Sequence, residues 1–84
     1  MDVYFITFRS VTYAQRGEKV LNRAGVRCSV QRTPRWMEEQ GCGYCLRLRT
    51  GDPGGAVAAI RAREIPMRKV YGAKPDGGLE ELTV

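Results

Sequence analysis

Cys42 and Cys45 stand two residues apart in the stretch Gly41-Cys42-Gly43-Tyr44-Cys45, and a third thiol, Cys28, lies earlier in the chain. With no histidine present, these sulfurs are the best nucleophiles and soft metal ligands available. A Cys-x-x-Cys unit supports three chemistries. Structural zinc asks for four nitrogen or sulfur ligands, so a chain with three cysteines cannot complete a site, although two copies pooling Cys42 and Cys45 could. Thiol–disulfide exchange favours an attacking cysteine at a helix N-terminus, which lowers its pKa, whereas the residues after this pair read as a strand. Sulfur-atom carriage needs less: one exposed thiolate on a projecting loop, stabilised by cations or backbone amides and open to a second protein.

Gly41 and Gly43 remove side chains on both sides of Cys42 and can let successive N–H groups turn toward its sulfur. Arg32 and Arg35 lie in the same loop and add positive charge. Two observations oppose a thiolate there. A helical turn ending at Gly41 would aim its C-terminal dipole at Cys42, and glycines with two small cysteines also suit a tight turn that only fills space.

The elements that must position this loop can be read from periodicity. Val3 to Phe8 is β-branched and aromatic, as a central strand requires. Ser10 or Thr12 can cap a helix that Gly25 closes at C′, with Ala14, Gly17, Leu21 and Ala24 forming a face of small apolar residues. Residues 26–31 alternate, with Val26, Cys28 and Val30 on one side, which makes Cys28 a packing thiol. Thr33-Pro34 reads as a cap and N1 proline opening a short turn over Arg35 to Gln40.

Tyr44 to Arg49 alternates again, with Tyr44, Leu46 and Leu48 on one side and Cys45, Arg47 and Arg49 on the other. Asp52-Pro53 opens a second helix with Ala56, Val57, Ala59 and Ile60 inward, Pro66 prevents its continuation, and Met67 to Gly72 reads as a fourth strand. The order β-α-β-β-α-β predicts an α+β, ferredoxin-like sandwich: a four-stranded antiparallel sheet with two helices on one face. Residues 1–73 form one domain in this reading, and residues 74–84 a flexible acidic tail.

Composition narrows the class. Eighty-four residues make one small two-layer domain with no room for a large enclosed active site. The apolar runs are far short of the roughly 20 residues a spanning helix needs, and the Met1 segment has no secretory pattern. With three cysteines and no disulfide framework, the expectation is a cytoplasmic protein without membrane contact.

Asp76, Glu80 and Glu81 leave 14 basic against 6 acidic residues in the first 75 positions, a net +8. That charge invites a nucleic-acid module on an open sheet face, with Tyr4, Phe5, Arg47 and Arg49 as its surface and Arg27 beside them. Arginine-rich composition by itself is also an ordinary solvated surface.

The chain resembles the family of small bacterial domains described as putative selenium/sulfur carrier protein-like. The resemblance rests on Tyr4-Phe5-Ile6-Thr7-Phe8 with Ser10, Ala14, Glu18-Lys19-Val20-Leu21 with Ala24-Gly25-Val26, Thr33-Pro34-Arg35, and Cys42-Gly43 followed by Leu46-Arg47. It covers roughly residues 3–72. It implies a carrier, not a turnover enzyme, that holds a persulfide or selenopersulfide on Cys42, with Thr33-Pro34-Arg35 in the same loop. The implied partner is a cysteine desulfurase or another selenium/sulfur-metabolism protein, with no bound cofactor or metal, and a homodimer is compatible with it. Trp36, Glu64 and the extra thiol Cys45 depart from the family pattern. As a resolving thiol, Cys45 could attack a Cys42 persulfide, form a disulfide and release sulfide, which would make the protein a small thiol–disulfide device.

Overall fold

Ser10 ends the first strand and starts the first helix. Its extended backbone turns the chain, and its hydroxyl accepts a hydrogen bond from the Tyr13 amide at 3.4 Å. The computed structural model describes residues 2–32 and 43–82. The expected turn over Arg35 to Gln40 lies outside the described residues, as do Cys42 and Arg35. The described elements are β1 (Asp2–Phe8), α1 (Val11–Arg23), β2 (Arg27–Arg32), β3 (Tyr44–Thr50), α2 (Pro53–Ala62), β4 (Val70–Ala73) and β5 (Leu79–Leu82). The fold is α+β, with one antiparallel sheet in the order β2-β3-β1-β4-β5.

Both helices stop by the same device. At the end of α1 the Val26 amide donates to the Leu21 carbonyl and the Gly25 amide to that of Asn22, with Gly25 at φ +83. This is a Schellman closure, in which glycine takes the left-handed position. At the end of α2 the Ile65 amide donates to Ile60 and the Glu64 amide to Arg61. Here the left-handed residue is Glu64, at φ +57. Glu64, which the family resemblance marks as a departure, thus falls on a backbone position where a Cβ is strained. Ile60 and Ile65 are both buried and make the apolar closure that holds the turn.

The helices share one core with one side of the sheet: Ile6 and Phe8 of β1, Leu46 and Leu48 of β3 and Val70 of β4 meet Ala14 and Leu21 of α1 and Ala56, Val57 and Ile60 of α2. Helix α1 lies very close to the strands at Gly17. A Cβ there would sit 3.1 Å from both Leu46 Cδ1 and Phe8 Cζ, so only hydrogen fits without displacing them. Ala24, expected on this inward face, instead caps the helix and is exposed.

The four-stranded expectation is corrected to five strands, because part of the expected tail is β5. Lys74-Pro75-Asp76-Gly77 makes a tight turn in which the Gly77 amide donates to the Lys74 carbonyl and the Lys74 amide to Gly78. Pro75 presets φ, the Asp76 carboxylate accepts from the Gly78 amide at 2.8 Å, and Gly77 takes φ +91. A Pro-Asp-Gly unit between apolar runs is a hairpin signal, and it pairs Leu79 and Leu82 with Ala73 and Val70.

The fourth strand also starts later than Met67, because the chain bulges where it meets β1. Thr7 is faced by two residues: its carbonyl accepts from the Arg68 amide and its amide donates to the Lys69 carbonyl, both at 2.8 Å. The Lys69 amide, displaced from the ladder, donates to the buried Thr7 hydroxyl at 2.9 Å.

Two stability measurements follow by urea unfolding. Thr7→Val keeps the shape but removes the acceptor of the Lys69 amide, and is expected to lower stability by about 1–3 kcal/mol. Glu64→Gly relieves the left-handed strain, about 1–2 kcal/mol, against a smaller gain in unfolded-chain entropy, for a net rise of about 0.5–1 kcal/mol. An unchanged midpoint in either variant would contradict the corresponding account.

Candidate functional site

Strand alternation sorts every sheet residue to one of two sides. The helices cover Tyr4, Ile6 and Phe8 of β1, so Val3, Phe5 and Thr7 point the other way. Register then extends this second side across the sheet: Phe5 faces Arg47 on β3 and Tyr71 on β4, Arg47 faces Ser29 on β2, and Tyr71 faces Glu81 on β5. One step along, Val3, Arg49 and Arg27 form a second row, and in the opposite direction Thr7, Cys45 and Gln31 form a third. Arg27, Arg47 and Arg49 are exposed, while Val3, Phe5 and Tyr71 are half-buried.

The expected nucleic-acid surface is therefore revised in one member. Tyr4 lies on the helix side, packed against the core, with its ring over Gly72, where a Cβ would come 3.2 Å from Cε1. Its place beside Phe5 is taken by Tyr71. The alternation of inward Val70 and Gly72 carried the signal for Tyr71, and Thr7 was likewise missed as the buried polar residue of this side.

The described thiols occupy two distinct environments. Cys45 is fully buried, in the row between Thr7 and Gln31. Gly43, which follows Cys42 in the chain, is also buried and leads straight into β3. Arg32 is exposed at the end of β2, opposite Tyr44, and alternation puts it on the helix side of the sheet. Arg32 and Cys45 thus sit on opposite faces and are not brought together, while Cys42 and Arg35 are outside the described residues.

Cys28 is half-buried on β2 against α1, where its Sγ lies 3.7 Å from both the Glu18 carbonyl oxygen and Asn22 Oδ1. Burial first, and the Glu18 carboxylate second, push its pKa up from 9.0 to about 11. The thiol is neutral at physiological pH and donates weakly into the helix. This agrees with a packing role. Among the described residues no three His, Cys, Asp or Glu side chains converge on a common point, and no helix is long and apolar enough to cross a membrane.

Comparison with known protein families finds a match. The profile of the family described as Putative Se/S carrier protein-like fits residues 3–72. No curated protein and no solved structure matches the chain.

The environment of Cys28 sets its reactivity and its linkage to stability. At pH 8 iodoacetamide should label native Cys28 roughly a hundredfold more slowly than the unfolded chain, because two pKa units separate their thiolate fractions. Since the folded pKa lies above the unfolded one, the contribution of the neutral thiol is fully present below about pH 9 and is lost as pH rises through about 11. Wild type should therefore lose stability relative to Cys28→Ala across that window. Equal labelling of native and unfolded protein would refute the assignment.

Proposed function

The chain belongs to the Putative Se/S carrier protein-like family, and from that membership we propose that it carries sulfur or selenium as a persulfide or selenopersulfide on Cys42. The observation that supports this choice of sulfur is the state of the other two. Cys28 is held protonated against α1, and Cys45 has no solvent exposure. A carrier must meet two proteins in turn, and a buried or protonated thiol meets neither requirement.

In the loading step the Cys42 thiolate attacks the outer sulfur of a persulfide on the donor, a cysteine desulfurase or related sulfur- or selenium-handling protein. A new S–S bond forms at Cys42, the donor's S–S bond breaks, and the donor cysteine leaves as thiolate. Delivery is the reverse displacement: an acceptor nucleophile takes the terminal sulfur and Cys42 leaves as thiolate. No net oxidation occurs in either step. Arg35 and Arg32 are proposed to stabilise the anionic sulfur electrostatically.

Cys45 was expected as a resolving thiol. Its burial supports a different part, as a small residue of the sheet kept away from exchange, which would protect the persulfide from collapse to a disulfide and sulfide. We read the two interleaved β-α-β units as a ferredoxin-like arrangement with β5 added at one edge. The protein would act where such donors work, in the cytoplasm.

After incubation with a cysteine desulfurase and cysteine, the intact mass should rise by one sulfur in wild type, Cys28→Ala and Cys45→Ala, and stay unchanged in Cys42→Ser. Equal loading of wild type and Cys42→Ser would sink the reading. Loss of loading in Cys45→Ala with the fold intact would return Cys45 to the chemistry.

A further inference from the structure

Sulfur carriage on Cys42 leaves unexplained the face of the sheet that no described helix covers. Its chemistry is specific. Arg27 and Arg49 stand directly opposite each other across β2 and β3, and Arg47 lies two residues from Arg49 on the same side. Like charges directly opposed across strands are destabilising, and among the described residues no side chain of these three arginines makes an ion pair or hydrogen bond. Next to them Phe5 and Tyr71 face each other on the adjacent strands β1 and β4, half-buried but open on one side. The acidic residue of this face, Glu81, is already met by Lys69 at 3.3 Å.

A ligand suited to this surface carries repeated negative charge at the spacing of β2 and β3, and flat apolar faces beside it over β1 and β4. Neighbouring strands lie about 4.8 Å apart, so Arg47, Phe5 and Tyr71 span about 10 Å in one row. A cation row flanking a pair of aromatic rings on an open antiparallel sheet is the arrangement that binds unpaired nucleotides, with phosphates on the arginines and bases stacked on the rings. Duplexes do not fit, because their bases are already stacked. A carboxylate-rich peptide would satisfy the arginines and leave Phe5 and Tyr71 without partners.

We infer that the exposed part of this sheet face, from Arg27 to Tyr71, binds single-stranded nucleic acid, with Arg27, Arg47 and Arg49 neutralising backbone phosphates and Phe5 and Tyr71 stacking on bases. The site uses neither Cys42 nor Arg35. The sugar is not specified by stacking or by phosphate contacts, so RNA and DNA are separate arms of the test.

Fluorescence anisotropy of labelled 15-nucleotide mixed-sequence RNA and DNA, single-stranded and duplex, should be followed from 25 to 200 mM salt. Single strands should bind with a log–log salt slope to which the three arginines contribute about −2, at roughly −0.7 per phosphate. The triple variant Arg27→Gln, Arg47→Gln, Arg49→Gln should lose that part of the slope. Tyr71→Leu, which keeps apolar bulk, should weaken binding roughly 5- to 150-fold with the slope unchanged.

Arg16, Arg23 and Arg63 are exposed on the helix side, so their triple change to Gln removes equal charge and serves as control. That control should retain the face contribution, and Cys42→Ser should bind as wild type. RNA-only, DNA-only or equal single-strand binding would each support the face and identify its ligand. No binding at 25 mM salt, equal affinity for duplex, or equal loss in the two arginine triples would overturn it. Failure here leaves persulfide loading untouched, and failure of loading leaves this surface untouched.

Discussion

The two described helices shield one side of a five-stranded sheet, and that limit organises the described residues. Gly17 sets how closely the shield can lie: with no Cβ between them, α1 rests against Leu46 and Phe8, and strand alternation then decides the fate of every neighbour. Tyr4, Ile6 and Phe8 of β1 and the even-numbered residues of β2, β3 and β4 are drawn toward the helices, and Val3, Phe5, Thr7 and Tyr71 are left on the other side with Arg27, Arg47 and Arg49. Cys45 is the informative exception, because it belongs to the uncovered side and yet is fully buried beside Thr7. Hydrophobic burial is therefore concentrated on the helix side, while Arg27, Arg47 and Arg49 give the other side its charge.

The three thiols illustrate how environment, not residue type, assigns chemistry. Cys28 has a carboxylate nearby and an apolar wall around it, both of which favour the neutral form. Cys45 is withdrawn from solvent altogether. Neither resembles a sulfur positioned to meet other proteins, which leaves Cys42, the thiol of the proposed carriage, as the one to test.

Much of the fold could be read from local chemistry. Ser10, Gly25 and the Asp52-Pro53 pair each act on a few adjacent backbone groups, and each does in the structure what its chemistry requires. What could not be read in this way was set by partners distant in the chain. The start of β4 depends on Thr7 capturing the Lys69 amide 62 residues away. The side to which Tyr4 belongs depends on which face of β1 the helices cover. The fifth strand was legible but overlooked: the acidic, glycine-rich composition of residues 73–84 masked the turn signal of Pro75-Asp76-Gly77. For the candidate site, the packing role of Cys28 followed from alternation alone, whereas the burial of Cys45 did not, since its strand neighbours on that side, Arg47 and Arg49, are exposed.

The strand order carries a kinetic consequence. β2 with β3 and β4 with β5 are hairpins that join sequence neighbours, but β1 lies between the two hairpins and pairs with β3 on one side and β4 on the other. The sheet becomes continuous only when a segment from one end of the described chain inserts between two units formed far along it. Ordering such long loops before their contacts are rewarded slows folding. β1 is thus the strand through which the two hairpins become one sheet, and the bulge at Arg68 and Lys69, clasped by Thr7, marks one end of that seam.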